Sequence, residues 1–318
     1  MSQNCITVII AAYNAEKTIA RAVRSALGEP EVAEVVVVDD ASRDSTIEAA
    51  RAADDGSGRL KVLAQSPNAG PSAARNKAIA SSTAPWITVL DGDDFYLPGR
   101  MKGLLAGAGD ADLVADDMWQ VPEDHVDGPR HSLINNRMAL PCPISLQQFV
   151  LSNVSSGTRE RAELGFIKPL MRRSLLEKHS ITYKENMRLG EDYELYTRAL
   201  AHGAKMILMP AQGYVSVVRL NSLSAKHSEH DLLQLRNCNL ELEKISGLSA
   251  TEKAALHQHF LSVDCRLQWR LMINAVKARN PVAVLKCLLR PWPVPAYVLG
   301  KLWEQFAIRV LGRPEKQV

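Results

Sequence analysis

The sequence has few cysteines, and none of them are paired at a spacing that binds metal or carries redox chemistry. The five cysteines are scattered between Cys5 and Cys287, and no CxxC occurs. An odd, scattered set supports neither a disulfide framework nor a zinc ribbon. This usage is typical of a reducing setting, so we expect a cytoplasmic protein.

Long apolar runs are missing as well. No uninterrupted stretch of about 18 apolar residues occurs, so no membrane-spanning helix is predicted. The N-terminal run CITVIIAAY follows no basic segment and is succeeded at once by turn and helix signals. We therefore interpret it as a strand and not as a signal peptide.

The chain also lacks a large charge excess. Its net charge is only +3 over 318 residues, which argues against a dedicated nucleic-acid-binding protein. The residues from Lys277 to Val318 carry eight Lys/Arg against two Glu, a net charge of +6, which leaves −3 on the first 276 residues. With 46% hydrophobic and 23% charged residues, the chain is expected to be globular.

Glycine-rich phosphate-binding motifs are absent. Neither a P-loop nor GxGxxG occurs, which argues against kinases and dinucleotide enzymes. A metal-dependent nucleotidyltransferase is an alternative with a similar α/β fold. It would be expected to carry a Gly-rich, basic loop after the first strand, whereas AAYNAEKT contains no glycine.

The first half of the chain alternates between strand and helix patterns. Strands are predicted at CITVII, AEVVVVDD, RLKVLAQ and PWITVL, with helices at NAEKTIARAVRSAL, SRDSTIEAARAA and GPSAARNKAIASS between them. Uniformly apolar strands that alternate with helices predict an α/β fold, whose mostly parallel central sheet has helices on both faces. In such sheets the ligand lies at the carboxyl ends of the strands.

The second half is less regular. ADLVADDMW predicts a fifth strand, and residues 121–165 predict a long loop with one short helix near SLQQFVLS. Helices are predicted at LMRRSLLEKHSI and GEDYELYTRALAHG, strands at AKMILMP and GYVSVVRL, and helical structure over 229–279. We therefore expect a catalytic domain over 1–228 and a helical C-terminal region over 229–318, ending in a Pro-interrupted basic tail.

Polar side chains follow each of the first four predicted strands. Parallel strands end at one edge of a sheet, so four polar clusters should share that edge and suggest a site. In chain order the clusters are Tyr13 and Asn14; Asp39, Asp40 and Ser42; Asn68, Gly70 and Arg75; Asp91 and Asp93.

Several of these segments together resemble the family-2 inverting glycosyltransferases, which have the GT-A fold. The segments are TVIIAAYNAEKTI, VVVVDDASRDST, NAGPSAARN, LDGDDFYLP, FIKPLMRRSLL and GEDYEL. Ala11 stands where proline is usual in the family. The resemblance covers about residues 5–225, and its N-terminal part looks like the glucosyltransferases of bacterial exopolysaccharide assembly, particularly the succinoglycan kind.

The resemblance implies a divalent cation near LDGDDFYLP. Hard oxygen ligands suit Mn²⁺ or Mg²⁺, which stabilises the negative charge of a departing diphosphate. Extended alternation would place Asp91 and Asp93 on one side. We predict Asp93 as the metal ligand, with Asp91 on the ribose or on the metal through water. For Asp94 we favour a turn or helix N-cap role.

Nucleotide contacts are implied at four further positions. Asp40 is expected to accept the N3–H of uracil, although it could instead cap the next helix, a job that also suits Ser42. Tyr13 could stack on the base or be a rim aromatic, and Glu16 could touch the ribose. Arg75 is a candidate diphosphate or ribose contact, with a surface arginine as the alternative.

Asp192 in GEDYEL is the predicted catalytic base. An inverting transfer is one displacement that needs a base and no protein nucleophile, and free backbone N–H groups at a helix start can orient a carboxylate. The alternative is an acid favoured by the helix dipole, a role that suits Glu191.

The expected reaction is transfer of a hexose, from UDP-glucose or another UDP-sugar, to a lipid-linked oligosaccharide at the inner face of the membrane. A catalytically silent sugar-nucleotide-binding protein is the alternative, but both Asp93 and Asp192 are present. The basic tail has apolar residues at helical spacing and is expected to lie on an anionic membrane, or alternatively to pack on the catalytic domain or a second subunit. These apolar residues are Leu299, Leu302, Trp303, Phe306 and Val310.

Overall fold

A computed structural model describes residues 5–134, 138–154, 163–219 and 227–311 of the chain. The contacts divide the chain into two compact units, Met1–Ala225 and Lys226–Val318. The first unit carries the sheets, and the second is helical in its described residues.

The first four predicted strands form one half of an eight-stranded sheet. They are parallel neighbours in the order β3-β2-β1-β4. Their bounds are β1 (Ile6–Ala12), β2 (Val32–Asp40), β3 (Leu60–Gln65) and β4 (Trp86–Val89). The predicted parallel arrangement of this half is therefore confirmed.

Helices cover both faces of this half-sheet. In β1, Ile6, Val8 and Ile10 share an apolar cluster with residues of the helix after β1. The alternate residues Thr7 and Ile9 face the other way and are also fully buried, because a later helix packs on β1 and β2 there. The helices of this half are α1 (Ile19–Leu27), α2 (Thr46–Arg51), α3 (Pro71–Ala80), which covers the second face, and α4 (Arg100–Gly107).

The other half of the large sheet mixes directions, and a smaller sheet lies beside it. The large sheet continues from β4 in the order β10-β6-β11-β9, and the four-stranded sheet has the order β5-β12-β7-β8. The strands are β5 (Phe95–Tyr96), β6 (Leu113–Asp116), β7 (Trp119–Pro122), β8 (His131–Ser132), β9 (Cys142–Ile144), β10 (Leu170–Arg172), β11 (Met206–Met209) and β12 (Tyr214–Val218). The remaining helices of this unit are α5 (Leu146–Ser152), α6 (Arg173–Lys178) and α7 (Glu191–Ala201).

Three sequence predictions in this half were wrong in detail. ADLVADDMW is not one strand, because it divides between β6 and β7 in different sheets. The described part of residues 121–165 is not a plain loop, since β8 and β9 pair with neighbouring strands. LMRRSLLEKHSI begins with β10, which runs antiparallel between β4 and β6, and becomes helical only at Arg173.

The second unit contains four helices in its described residues. They are α8 (Glu229–Leu242), α9 (Ala250–Lys277), α10 (Pro281–Leu288) and α11 (Val294–Leu311). Ser228 and Ser249 form capping boxes at the starts of α8 and α9. The described part of the predicted tail therefore consists mainly of two helices, and an apolar cluster joins them to α9 through Cys265, Met272, Cys287, Val294 and Val298. None of the helices in the described ranges is both long and apolar enough to cross a membrane.

A buried carboxylate, that of Glu34, links neighbouring strands near their amino-terminal ends in the large sheet. Glu34 in β2 accepts hydrogen bonds from Thr7 Oγ1 at 2.9 Å, Lys61 Nζ at 2.8 Å and the backbone N–H groups of Thr83 and Ala84 at 2.6 and 3.1 Å. Burial raises the pKa of Glu34, but these donors outweigh it and lower the pKa to about 2. The ionised carboxylate thus joins three strands and the loop before β4.

Replacing Glu34 by glutamine is expected to lower the free energy of unfolding by about 2 kcal/mol at pH 7, the scale of hydrogen bonds to a charged group. Because the folded-state pKa is lowered, this stabilisation is present above about pH 4.5 and declines as pH falls toward about 2. Urea unfolding of both proteins between pH 7 and pH 3 measures the difference. Glu48→Gln, which changes an exposed carboxylate on α2, is the control. A difference that does not change with pH would contradict this role.

Candidate active site

The carboxyl ends of β1 to β4 bring the predicted polar clusters to one edge of the large sheet. Tyr13 follows β1, Asp40 ends β2, Arg75 lies on α3 after β3, and Asp91 follows β4. Because these four strands are parallel neighbours, their ends share one edge. The structure therefore supports the predicted grouping.

Asp40 is buried and binds the loop that leads into α3. Its Oδ1 accepts hydrogen bonds from Gln65 Nε2 at 2.6 Å and Ala69 N at 2.7 Å, and its Oδ2 accepts one from Gly70 N at 2.8 Å. The helix-capping alternative is wrong, because the residue preceding α2 is Ser45. A carboxylate has about four acceptor positions, so Oδ2 keeps capacity for one more donor. Uracil binding by Asp40 stays a prediction.

The turns after β1 and β2 are hydrogen-bonded to each other. Asn14 Oδ1 accepts from Arg43 N at 2.9 Å, and Glu16 Oε2 accepts from Ser45 N at 3.2 Å. Ser42 donates to Asp39 and does not cap α2, contrary to expectation. Tyr13 and Glu16 are both exposed at this turn, where they could meet a ligand. Their predicted contacts with base and ribose remain predictions.

The residues after β4 form a turn and not the extended segment that the sequence suggested. The N–H of Asp94 donates to the carbonyl of Asp91 at 3.0 Å. The side chain of Asp94 is buried and accepts from Tyr214 Oη at 2.7 Å and Val217 N at 2.8 Å. Of the two roles predicted for Asp94, the turn is present, whereas the N-cap role is wrong, because Gly99 precedes α4. Asp94 instead anchors β12 beneath the turn.

Asp93 is less neutralised than Asp91, because it pairs with one arginine whereas Asp91 contacts two cations. Its side chain is about one-third exposed and meets Arg219 Nη2 at 3.3 Å, while its carbonyl accepts from Arg21 at 2.6 Å. Burial, followed by the neighbouring charge of Asp91, raises the pKa of Asp93. A cation placed here would relieve that unfavourable charge.

Arg75 is buried and contacts acidic residues from two distant segments. Its Nη2 lies 2.8 Å from Asp91 Oδ1, and its Nη1 lies 2.9 Å from Glu191 Oε1 and 3.3 Å from Asp192 Oδ1. The guanidinium also lies 5.3 Å from the ring centroid of Tyr183. The alternative of a surface arginine is therefore wrong.

Lys168 completes this cluster and was not among the residues predicted from the sequence. Its Nζ lies 2.5 Å from Asp192 Oδ2 and 3.1 Å from Asp91 Oδ2. Arg75, Asp91, Lys168 and Asp192 thus form a closed circuit of contacts, here called the ion-pair ring. The ring joins the turn after β4 to the start of α7.

The direction of β10 explains why Lys168 reaches this site. Since β10 is antiparallel to β4 and β6, its start lies where those two strands end. The carbonyl of Lys168 accepts from Arg100 Nη2 at 2.7 Å, and Arg100 is itself paired with buried Asp116 at 2.7 Å. A lone lysine in the apolar segment FIKPL is the signal that could have identified it.

The ion-pair ring balances two cations against two carboxylates. Burial opposes the charge on Asp91, yet Lys168 and Arg75 lower the pKa of Asp91 to about 2. Burial likewise opposes the charge on Lys168, but Asp192 and Asp91 outweigh it and raise the pKa of Lys168. Lys168 and Asp91 therefore stay charged at neutral pH. The protein's own cations therefore offset part of the negative charge of the carboxylates after β4.

A divalent cation fits this site only with ligands from a substrate. The described residues contain no group of three or more His, Cys, Asp or Glu side chains that could hold a metal ion. Asp91 is already engaged by two cations, which leaves Asp93 as the available carboxylate. Mg²⁺ is commonly held by one or two carboxylates together with substrate phosphates, and the site matches that donor set.

Comparison with known proteins agrees with the fold. The succinoglycan biosynthesis protein ExoU of Rhizobium meliloti is 46% identical over 298 residues, which is 93% of this chain and 86% of ExoU. The crystal structure of S. aureus TarS 1–349 in complex with UDP-GlcNAc has a TM-score of 0.67 at 21% identity, covering 98% of this chain and 93% of that chain. The mannosyltransferase PcManGT of Pyrobaculum calidifontis, in complex with GDP-Man and Mn²⁺, has a TM-score of 0.60 at 17% identity, covering 97% and 89%.

These structural similarities establish the GT-A glycosyltransferase fold for the first unit, whose large sheet is mainly parallel. A helical region follows it in the chain. Residues 7–177 match the sequence pattern of glycosyl transferase family 2. This match covers β1 to β4, the turn with Asp91 and Asp93, and Lys168. On this match and on its identity with ExoU over most of both chains, the protein belongs to glycosyl transferase family 2.

Proposed function

We propose that the protein transfers a hexose, from UDP-glucose, to a lipid-linked oligosaccharide in bacterial exopolysaccharide synthesis, with inversion at the anomeric carbon. The observation that carries this proposal is the ion-pair ring. It fixes a carboxylate at the start of α7 beside the turn where a sugar nucleotide would place its diphosphate. One carboxylate held in this way suits a single displacement assisted by a base.

In this proposal Asp192 takes the proton of the acceptor hydroxyl. It is the second residue of α7, and the helix follows Gly190, which has a positive φ of 71°. Its carboxylate contacts Arg75 at 3.3 Å and Lys168 at 2.5 Å, and Tyr183 Oη donates to it at 3.0 Å. A positioned base typically contributes 10²- to 10⁴-fold to the rate.

The donor would lie along the edge formed by β1 to β4. The acceptor capacity left on Asp40 suits the N3–H of uracil, and exposed Tyr13 offers a face for the base. Glu16 and Asp91 suit the ribose hydroxyls. Asp93 would hold Mn²⁺ or Mg²⁺, which neutralises the leaving diphosphate when bound. The uridine donor is supported by the UDP-GlcNAc complex of TarS, and the polysaccharide role by ExoU.

The function is tested with the full chain, membrane lipid extracts and radiolabelled UDP-glucose, UDP-galactose, UDP-GlcNAc and GDP-mannose. Label should pass from UDP-glucose to the lipid fraction, and UDP should be released. The new linkage in the lipid product should be β. Transfer from GDP-mannose alone would overturn the donor assignment. In a parallel assay with UTP and glucose 1-phosphate, release of pyrophosphate would indicate a nucleotidyltransferase. Binding of the UDP-sugars without any transfer would indicate a silent sugar-nucleotide-binding protein.

The second unit presents an apolar surface that suits a membrane. One side of α11 is buried through Val294 and Val298, while large apolar side chains on its other side are exposed. These exposed residues are Leu299, Leu302, Trp303, Phe306 and Val310, and α10 adds Val282 and Leu285. We also propose that this surface lies on the anionic inner face of the cell membrane, where its basic neighbours meet the anionic lipids. A lipid-linked acceptor would then be close to it.

Changing the exposed residues Leu299, Trp303 and Phe306 together to glutamine is expected to weaken binding to anionic vesicles at least tenfold. Each buried apolar side chain contributes about 1.5–3 kcal/mol, and partial insertion gives a fraction of that. Vesicle co-sedimentation at low salt measures binding, and UDP affinity should stay unchanged.

Deleting residues 281–318 is a poorer test of membrane contact, because it also removes the core residues Cys287, Val294 and Val298. Leu233→Gln with Leu240→Gln on α8 is a matched control, since both residues are exposed apolar side chains outside the tail. If the full chain ignores anionic vesicles at low salt, the surface serves packing and not membrane binding.

A further inference from the structure

The three partners of Asp192 are distributed unevenly over its two carboxylate oxygens. Oδ1 accepts hydrogen bonds from Arg75 Nη1 at 3.3 Å and Tyr183 Oη at 3.0 Å, whereas Oδ2 contacts only Lys168 Nζ, at 2.5 Å, within the part of the chain that the structure describes. Each carboxylate oxygen has about two acceptor positions. Oδ1 is therefore saturated, and Oδ2 keeps one position.

Resting on the proposed function, we propose that Lys168 is a positioning residue, which holds the Asp192 carboxylate so that Oδ2 takes the proton of the acceptor hydroxyl. The proton passes from that hydroxyl to Oδ2 while the hydroxyl oxygen bonds to the anomeric carbon and the bond to the diphosphate breaks. Lys168 itself gains and loses no proton.

Lys168 is well placed for this task because its own position is fixed at both ends. Its side chain is buried, and its carbonyl accepts from buried Arg100 at 2.7 Å. Its Nζ contacts Asp91 as well as Asp192, so the ammonium has a second partner on the donor side. A group held from two sides can fix the angle of the Asp192 carboxylate, and a misplacement of about 1 Å in such a group can lower a rate about 10²-fold.

Replacing Lys168 by methionine, which has similar length and no charge, is the direct test. It is expected to lower kcat by about 10- to 100-fold while the KM for the donor and the Kd for UDP change less than threefold. Lys168→Arg keeps a cation at the site and should recover at least part of the loss. Lys178→Met, on the exposed surface of α6, is the matched control and should behave as wild type.

Crystal structures of the wild type and of Lys168→Met give a readout that does not depend on activity. The carboxylate of Asp192 should turn from its wild-type orientation in the variant. A raised donor KM with unchanged kcat would overturn the proposal and make Lys168 a donor-binding residue. If kcat and the orientation of Asp192 are both unchanged in the variant, the positioning role is overturned. Sugar transfer by the wild type would still support the proposed function. If the wild type transfers no sugar, the proposed function fails, and an unmoved Asp192 in the variant then overturns the positioning role as well.

Should Lys168→Met fail to fold, Lys168→Arg decides the outcome. A rise in donor KM larger than its fall in kcat would overturn the positioning role, and the reverse pattern would support it.

Discussion

Asp192→Asn is expected to lower kcat by about 10³-fold and to leave the affinity for UDP nearly unchanged. The amide has almost the shape of the carboxylate but cannot take a proton, so it removes an interaction made only in the transition state. Lys168 Nζ can still donate to the amide oxygen, and the hydroxyl of Tyr183 can turn to accept from the amide N–H, so the side chain should keep its place on α7. Steady-state kinetics and calorimetry with UDP measure the two effects separately.

The comparison variant is Asp40→Ala, for which the opposite pattern is expected. This change removes the acceptor proposed for uracil and also releases the hydrogen bonds to Ala69 and Gly70. UDP binding should weaken while the chemical step is less affected. Glu177→Gln, an exposed carboxylate on α6, controls for the loss of one negative charge. Loss of UDP binding in Asp192→Asn would show that the roles are assigned wrongly.

Asp93→Asn is expected to lower transfer by about 10²-fold or more, the scale for losing one preorganised electrostatic group. Asp93 is the available carboxylate of its turn, since Asp91 is engaged by Arg75 and Lys168. Excess chelator should abolish wild-type activity, and added Mn²⁺ or Mg²⁺ should restore it. The fold should survive, because the side chain of Asp93 is about one-third exposed.

Calorimetry with UDP distinguishes metal binding from a role in pairing with Arg219. In the wild type, Mn²⁺ should strengthen UDP binding, and in Asp93→Asn that gain should be lost. Asp127→Asn, which removes an exposed carboxylate outside the turn, should retain the gain. Full activity in excess chelator would exclude the metal from the proposed mechanism.

The sequence was sufficient for the first half of the fold because its signals are local. Apolar strands of four to nine residues alternate with helices, and this periodicity predicts a parallel sheet without any knowledge of distant contacts. Because parallel strands end at one edge of a sheet, the same pattern predicted that Tyr13, Asp40, Arg75 and Asp91 share that edge. The roles of these residues toward a ligand stay predictions, since position alone does not fix a contact.

Local patterns were enough to predict the half-sheet, its polar edge and the family motifs, because each depends on short segments. The folded structure was needed to find the ion-pair ring, since Arg75 and Asp192 are 117 residues apart. It also decided the three-residue β10, whose strand conformation is selected by hydrogen bonds from β4 and β6 against the helical pattern of LMRRSLL. That antiparallel strand brings Lys168 to the site, because a strand reversed against its neighbours begins where they end.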